Sequence, residues 1–350
     1  MIISRTPFRI SFFGGGTDYP TWYRDHGGAV LAATIDKYCY LTCRYLPPFF
    51  EHRYRVLYSF IENVQTIDQI KHPAAREVLR YLNMDRGVEI HHDGDLPARS
   101  GMGSSSAFTV GLLHALHALR GQMVSKYQLA HEGIIVEQEL LKETVGSQDQ
   151  VMAAYGGLNH VAFHKSGEIT VRPVILPPAR LPEFNAHLML FYTGIQRNAS
   201  EVAASYATNL DDRRRELRII QDLVEEGMSL LGSNSDITNF GRLLHEGWVA
   251  KRTLGGSVTN TSVDAIYDDA RDAGAIGGKL LGAGGGGFIL LFVPPDKHEA
   301  VKARLDGLIH VPFSFERFGS QIIFYESDTD YTEAEKARMM HPKQAFRELT

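Results

Sequence analysis

The hydrophobic positions of the chain predict mainly strands in its first ninety residues. Residues 1–13 are rich in β-branched and aromatic side chains, and Pro7 excludes a long helix, so we expect a strand there. Residues 29–45 predict strands on either side of Asp36 and Lys37, and residues 87–92 predict another. Within 64–82 only the second half has a helical pattern.

Helices dominate the pattern after residue 104. The stretch that begins at Ser104 is apolar nearly all round, which is typical of a helix inside a domain core, and Gly121 ends it. A capping box at 125–128 predicts a second helix, which carries Glu137 among several glutamates. A strand hairpin follows, and the sequence thus predicts a first domain of mixed helices and strands.

Prolines at 177, 178 and 182 break the pattern and place a domain boundary near residue 180. We therefore predict an N-terminal domain over 1–180 and a C-terminal domain over 181–350. The predicted elements of the second domain are a strand at 187–192, helices at 200–209, 211–231, 236–253 and 262–273, a strand–glycine turn–strand unit at 278–293, a helix at 296–308 and a hairpin at 313–325.

The composition excludes some classes of function but does not identify one. The chain has 350 residues, 44% hydrophobic and 22% charged, which is ordinary for a soluble protein of two domains. A net charge of −5 argues against nucleic acid or a membrane surface as the main partner, and no apolar run is long enough to span a bilayer. Cys39 and Cys43 are too few for a zinc set or a disulfide framework, so we expect a cytoplasmic protein.

The first candidate for chemistry is the glycine-rich stretch 95–107. Gly101 and Gly103 allow a close approach of backbone to ligand, and three serines follow where a helix begins. The N–H groups and dipole of a helix N-terminus suit a phosphate, and serine hydroxyls can coordinate Mg²⁺. The alternative is an ordinary helix capped by Ser104 after a glycine turn.

A second glycine-rich stretch, 282–287, fits the spacing of the dinucleotide-binding fingerprint. That fingerprint must open a helix, whereas here it opens an apolar strand that ends at Pro294. No P-loop pattern occurs in the chain either. Any phosphate-binding loop is therefore of another kind.

Three stretches in order (7–19, 97–107 and 279–288) resemble the three motifs of the GHMP kinases, the family named for galactokinase, homoserine kinase, mevalonate kinase and phosphomevalonate kinase. The resemblance implies an α+β, two-domain GHMP kinase fold, with an N-terminal domain like ribosomal protein S5 domain 2 and a ferredoxin-like C-terminal domain. It also implies ATP and Mg²⁺ as cofactors. Residues 11–18, 146–150 and 192–197 most resemble members that phosphorylate the anomeric hydroxyl of a phosphorylated heptose.

The resemblance implies a role for each matching residue. Asp149 would take the proton from the acceptor hydroxyl, with the cation Arg9 beside it. Ser105 and Glu137 would hold Mg²⁺, the alternative for Glu137 being a solvated residue on a polar helix face. The expected nucleotide-binding residues are Pro97, Arg99, Ser100, Gly101, Met102, Gly103, Ser104, Ser105 and Ser106.

The acceptor side is expected at the other two loops. Asp18 matches the acceptor of a sugar hydroxyl, or else is a turn residue that bonds its own backbone. Galactokinases carry a Glu-His pair where this chain has Gly15 and Gly16, which argues against galactose and for a longer substrate. The remaining candidates on this side are Gly284, Gly285 and Arg197.

We assign Arg197 to the substrate phosphate because a buried dianion needs cationic donors, the alternative being a surface arginine. The expected partners are a sugar or sugar phosphate and ATP, without nucleic acid or membrane, and with a homodimer as one assembly to test. Two alternative functions stay open. The first is a kinase for an unphosphorylated sugar such as L-fucose or galactose, and the second is a catalytically inactive sugar-binding sensor.

Overall fold

One long strand forms the centre of the fold. The computed structural model describes residues 1–98, 100–195, 213–326 and 331–340. In it β2 (Gly28–Tyr45) runs unbroken for 18 residues, the first eight of them buried. The predicted interruption at Asp36 is absent from this strand because the backbone N–H and the carboxylate of Asp36 both bond the backbone of Ser314, each at 2.9 Å. Asp36 therefore stays within the strand, because its backbone N–H and its carboxylate both have hydrogen-bond partners.

The other strands are β1 (Ile2–Phe13), β3 (Tyr54–Leu57), β4 (Ile61–Val64), β5 (Val88–Gly94), β6 (Leu158–Phe163), β7 (Ile169–Pro173), β8 (Leu188–Tyr192), β9 (Gly277–Leu280), β10 (Phe288–Phe292), β11 (Ile309–His310), β12 (Phe315–Glu316) and β13 (Gln321–Tyr325). The helices are α1 (Pro20–His26), α2 (Pro73–Tyr81), α3 (Ser104–Leu119), α4 (Lys126–Ile134), α5 (Gln148–Tyr155), α6 (Arg180–Ala186), α7 (Arg214–Gly232), α8 (Thr238–Arg252), α9 (Thr261–Asp272), α10 (His298–Arg304) and α11 (Thr332–Met340). A π-helical turn, Ile135–Leu140, follows α4, and 3-10 turns cover Ile67–Gln69 and Pro295–Lys297. The predicted helix at 200–209 lies outside the described residues.

The described residues form two sheets. The larger has nine strands along the path β13-β1-β2-β5-β3-β4, with β6 and β12 also pairing with β2, and β7 pairing with β6. The smaller has the order β11-β8-β10-β9. Strands β3 and β5 run parallel, and the other described pairs are antiparallel. The fold is therefore a mixture of helices and sheets, as expected from the sequence.

The predicted hairpin at 313–325 is wrong. Its two strands do not pair with each other: β12 pairs with β2, and β13 pairs with β1. Both strands thus return to the sheet that the first half of the chain builds. Local hydrophobic periodicity predicts a strand but does not identify its partner. Here Phe315 of β12 pairs with Ile35, 280 residues away, and Tyr325 of β13 pairs with Ile2, 323 residues away. The division at residue 180 stays a prediction, since the second half of the chain supplies two strands to the first sheet.

Helix α3 packs on the larger sheet and begins at the functional cavity. Eleven of its 16 residues are buried, as the apolar pattern predicted. Gly111 permits close contact with β1, since a Cβ at that position would lie 2.7 Å from the Thr6 hydroxyl. Among the residues described, no helix is both long and apolar enough to cross a membrane.

Candidate active site

A cavity of about 840 Å³ collects residues from all three glycine-rich loops. Gly15, Gly16 and Asp18 line it from the loop after β1, and Gly282 and Ala283 from the loop after β9. The loop before α3 contributes Gly101 and Gly103, and the first turn of α3 contributes Ser104, Ser105 and Ser106. The structure thus brings together three stretches that are far apart in sequence.

The loop after β9 and the loop before α3 touch through their backbones. The Phe288 N–H donates to the Ser100 carbonyl at 3.2 Å. Gly282 has a φ of +70°, and a Cβ there would lie 2.5 Å from the Gly101 Cα. A side chain cannot fit at that contact, so glycine is required for the two loops to meet.

Arg9 and Asp149 form a bidentate ion pair at the cavity. Arg9 Nε and Nη2 each donate to a carboxylate oxygen of Asp149 at 2.6 Å, and Nη1 donates to the Gly101 carbonyl at 2.7 Å. The Arg9 side chain is 6% exposed and that of Asp149 25% exposed, which leaves the carboxylate open to the cavity. Gly103 lies against the pair, since a Cβ on it would be 3.5 Å from Asp149 Oδ2. The structure thus places Arg9 beside Asp149, and the catalytic roles of the two residues stay predictions.

Glu137 is fully buried beside the start of α3, not solvated on a helix face. It lies in the π-helical turn. Ser106 Oγ donates to its Oε2 at 2.8 Å, and Gln150 Nε2 donates to the same oxygen. Within the described chain its Oε1 has no hydrogen-bond partner. Burial raises the pKa of Glu137 from 4.5 to about 7, against the lowering effect of those two donors. The site therefore holds a carboxylate that lacks a compensating charge.

The serine that bonds Glu137 is Ser106, whereas the family resemblance assigns the metal to Ser105. The Ser105 side chain is exposed and faces the same cavity. Consecutive residues at a helix start point in different directions, so sequence alone does not show which hydroxyl meets the carboxylate. Both hydroxyls remain candidates for a metal ligand.

Asp18 is buried in the loop after β1 and accepts backbone N–H groups. Its Oδ1 accepts from Gly16 at 2.9 Å and its Oδ2 from Gln148 at 3.3 Å. Burial raises the pKa of Asp18, and the neighbouring charge of Asp149 raises it further. Ser11 Oγ and Gln148 Oε1 line the same part of the cavity, are buried, and lack hydrogen-bond partners in the described part of the chain. These orphaned groups can serve a polyhydroxylated ligand.

Aromatic side chains line another part of the cavity. The ring of His72 stacks on Phe108 with centroids 4.5 Å apart, and Tyr58 meets His72 edge-on at 4.8 Å. His92 packs against Phe108 at 5.1 Å. Burial lowers the pKa of His72 to about 4, so this imidazole is neutral at pH 7. The arrangement suits a flat, uncharged ring. Sequence reasoning did not assign these residues to the site, because their positions follow no motif.

Two buried lysines line the cavity, and sequence reasoning missed both. Lys251, near the end of α8, donates to the carbonyls of Gly282 and, at 3.4 Å, Leu280. Lys279, on β9, donates to the Phe12 carbonyl at 2.7 Å. The sequence offered one signal for Lys279, a charged residue at the start of an otherwise apolar strand.

Several predicted residues do not reach the cavity. Gly284 and Gly285 are buried against Val258, with the Gly285 N–H donating to the Val258 carbonyl at 2.9 Å, so Gly282 and Ala283 replace them as the cavity lining. In the loop before α3, Ser100 and Met102 are buried beneath the lining and Pro97 is exposed away from it. Arg99 and Arg197 lie outside the described residues.

The models of two kinase domains match the chain. The GHMP kinases N terminal domain matches residues 68–157, and GHMP kinases C terminal matches residues 220–308, together just over half of the sequence. The chain therefore belongs to the GHMP kinases, as its three loops indicated, and it is an ATP-dependent sugar kinase.

Curated relatives extend over almost the whole chain. A D-glycero-alpha-D-manno-heptose 7-phosphate kinase from Campylobacter jejuni is 28% identical over 342 residues, which are 91% of this chain and 97% of the relative. The L-fucokinase/L-fucose-1-P guanylyltransferase of Bacteroides fragilis is 25% identical over 347 residues, but the match spans 36% of that longer protein.

Solved structures agree with the fold. The crystal structure of a D-glycero-D-manno-heptose 1-phosphate kinase from Bacteroides thetaiotaomicron has a TM-score of 0.75 at 23% identity, covering 93% of this chain and 100% of that one. Lactococcus lactis galactokinase, solved with galactose, has a TM-score of 0.70 at 18% identity over 91% of this chain and 94% of its own. At these identities the likeness concerns the fold alone.

Proposed function

We infer that the enzyme transfers the γ-phosphoryl group of ATP to the anomeric hydroxyl of a phosphorylated heptose, converting D-glycero-D-manno-heptose 7-phosphate to the 1,7-bisphosphate. The observation that carries this inference is the Arg9–Asp149 pair, which stands at the junction of the three glycine-rich loops. A carboxylate that faces the cavity and a guanidinium fixed beside it are the groups that a hydroxyl acceptor requires.

Nucleotide binding is assigned to the start of α3 and the aromatic side chains. The backbone N–H groups and the positive end of the α3 dipole, at Ser104, Ser105 and Ser106, suit the phosphates of ATP. The uncharged rings of His72 and Phe108 would stack with the adenine base. Gly103 has no side chain and lies against Arg9 and Asp149, so the γ-phosphate and the acceptor hydroxyl would have room to meet there.

The residues that fit Mg²⁺ lie beside the start of α3. Mg²⁺ uses few protein oxygens, and the buried, unpartnered Oε1 of Glu137 with a hydroxyl of Ser105 or Ser106 would supply them. Bound there, the ion would neutralise charge on the phosphates. A cation would also favour the ionised form of Glu137, whose pKa burial raises to about 7.

In the proposed reaction Asp149 accepts the proton of the anomeric hydroxyl as its oxygen attacks the γ-phosphorus. Arg9 fixes the orientation of the Asp149 carboxylate with two donors and offsets charge that develops on the transferring group. The phosphoryl group passes in line to the sugar without a covalent enzyme intermediate. Asp18, Ser11 and Gln148 would hold other hydroxyls of the acceptor.

The choice of a heptose phosphate has two supports. The Campylobacter jejuni relative carries that activity in its name and aligns over almost the full length of both chains. Gly15 leaves the wall of the cavity without a side chain next to Ser11 and Gln148, and Gly16 also lines the cavity without a side chain, which gives room for a longer acceptor. Arg197 is proposed to bind the substrate phosphate.

A cytoplasmic setting suits the free, buried thiols of Cys39 and Cys43. A homodimer is proposed as one assembly and is tested by light scattering.

The function is tested by coupled ADP release across a panel of sugars and their 6- or 7-phosphates. We expect the highest kcat/KM with D-glycero-D-manno-heptose 7-phosphate. Preference for L-fucose or galactose would support the plain-sugar alternative, and absence of turnover with every sugar would support an inactive sensor.

A further inference from the structure

Lys251 and Lys279 are buried lysines for which the proposed reaction has no assigned role. Lys251 is 8% exposed and Lys279 is 5% exposed, and both line the cavity. Within the described residues, their ammonium groups donate only to backbone carbonyls, which are those of Gly282 and Leu280 for Lys251 and that of Phe12 for Lys279. A buried ammonium that no carboxylate compensates is costly, so its retention calls for a ligand.

The surrounding charges do not balance the two lysines. Arg9, the third cation, is already paired with Asp149 through two bonds. Asp18 is the other carboxylate that acts on Lys251, but it is occupied by the backbone N–H groups of Gly16 and Gln148. Among the described residues neither lysine has an ion-pair partner. With every group ionised, this side of the cavity therefore has more positive than negative charge.

The two ammonium groups lie at the loops assigned to the acceptor. Lys279 bonds the end of β1, directly before the loop of Gly15 and Gly16, and Lys251 bonds the loop after β9. The proposed Mg²⁺ residues and the aromatic rings lie at the start of α3 and around it. Burial lowers the pKa of Lys251 to about 8 and that of Lys279 well below its usual value, and the charge of Arg9 acts in the same direction on both. A bound dianion would reverse this effect.

We propose that Lys251 and Lys279 bind the phosphate group that the acceptor already carries. This assignment rests on the proposed sugar phosphate kinase activity and makes the two lysines the selectivity residues of its acceptor site. Two ammonium groups that come from different elements, α8 and β9, can approach one phosphate from different directions. A neutral sugar would leave both ammonium groups uncompensated. The lysines would therefore explain a preference for a phosphorylated acceptor within a family that also includes galactokinase.

The test uses Lys251→Met and Lys279→Met, which keep the apolar stem and remove the charge. Kinetics are measured with D-glycero-D-manno-heptose 7-phosphate, with the unphosphorylated heptose and with ATP. Losing one charge-assisted contact should raise KM for the phosphorylated heptose roughly 10- to 100-fold in each variant. KM for ATP and kcat/KM for the unphosphorylated heptose should change far less. In Lys251→Arg, which keeps a positive charge, KM for the phosphorylated heptose should rise less than in Lys251→Met. Lys302→Met on α10, an exposed lysine that pairs with Glu299, is the matched control.

An equal loss of kcat/KM with the phosphorylated and the unphosphorylated heptose would overturn the proposal. It would place the lysines at the transferring phosphoryl group instead. A rise confined to KM for ATP would overturn it as well. Thermal unfolding checks that each variant is folded, and Lys251→Met alone suffices if Lys279→Met fails this check. If the wild type phosphorylates no sugar phosphate, the proposed function fails. Calorimetric binding of inorganic phosphate, present in the wild type and weakened in Lys251→Met, then still tests the lysines, and unchanged binding contradicts their role.

Discussion

Replacing Glu137 with glutamine should make the metal-free protein more stable and the enzyme less active. The carboxylate is buried, its Oε1 is unpartnered within the described residues, and no cation in the described chain pairs with it. Glutamine has nearly the same shape and removes the charge. The unpartnered Oε1 of Gln150, which belongs to the same hydrogen-bond cluster, is available to the new amide.

The size of the effect follows from the pKa of Glu137, which burial raises from 4.5 to about 7. Because the folded pKa is the higher one, the unfolded chain releases this proton first, and ionisation lowers stability as pH rises from 4.5 to 7. Each unit of pKa difference is about 1.4 kcal/mol, so the loss levels off near 3 kcal/mol above pH 7. Between pH 5 and pH 8, the free energy of unfolding of Glu137→Gln relative to wild type should rise by roughly 2–3 kcal/mol.

Urea unfolding in EDTA at several pH values measures this difference. Glu139→Gln is the matched control, because Glu139 lies in the same π-helical turn with an exposed side chain. Its stability difference from wild type should stay constant with pH. A constant difference for Glu137→Gln too would refute the argument that Glu137 is a buried, uncompensated carboxylate. Other buried carboxyl groups, such as Asp18, are present in both proteins and cancel.

Three further outcomes are expected. Asp149→Asn should lower kcat roughly 10²–10⁴-fold with little change in KM, measured by ADP release, and a near-normal kcat would contradict its role as proton acceptor. Ser105→Ala and Glu137→Gln should each raise the Mg²⁺ concentration needed for half-maximal rate, and their effects should be non-additive in the double variant. In the same cycle with Ser106→Ala, additive losses would exclude an ion shared by Ser106 and Glu137, whereas non-additive losses also follow from the hydrogen bond between these two residues. Arg197→Ala should raise KM for the phosphorylated heptose and leave KM for ATP unchanged. An equal loss of kcat/KM with the phosphorylated and the unphosphorylated heptose would exclude contact between Arg197 and the phosphate.

Local patterns predicted those parts of the molecule that local chemistry decides. The apolar stretch after Ser104 forms α3 because such a helix can only be buried, and Gly121 follows its end. The loop at 282–287 was rejected as a dinucleotide fingerprint because a strand follows it, and β10 is that strand. The expected pairing of Arg9 with Asp149 came from the family resemblance, since residues 140 positions apart share no local pattern.

The features that were missed depend on the tertiary structure. Strand β13 pairs with β1, and β12 pairs with β2 between the stretches of β2 that pair with β6 and β5. Hydrophobic periodicity along the chain does not record either pairing. Glu137 and Lys251 look like solvated helix residues in sequence, yet both are buried once α3 and the loop after β9 pack over them. Burial of charge is thus where the sequence was least informative, and those residues surround the cavity.

The central claim is phosphoryl transfer to the anomeric hydroxyl of a phosphorylated heptose. ³¹P nuclear magnetic resonance of a reaction with MgATP and D-glycero-D-manno-heptose 7-phosphate tests it most directly. The account predicts a new sugar phosphate resonance coupled to the anomeric proton, formed in equal amount to ADP, while the original 7-phosphate signal remains. Inorganic phosphate as the only new product, or a new phosphate coupled to any other sugar proton, would contradict it.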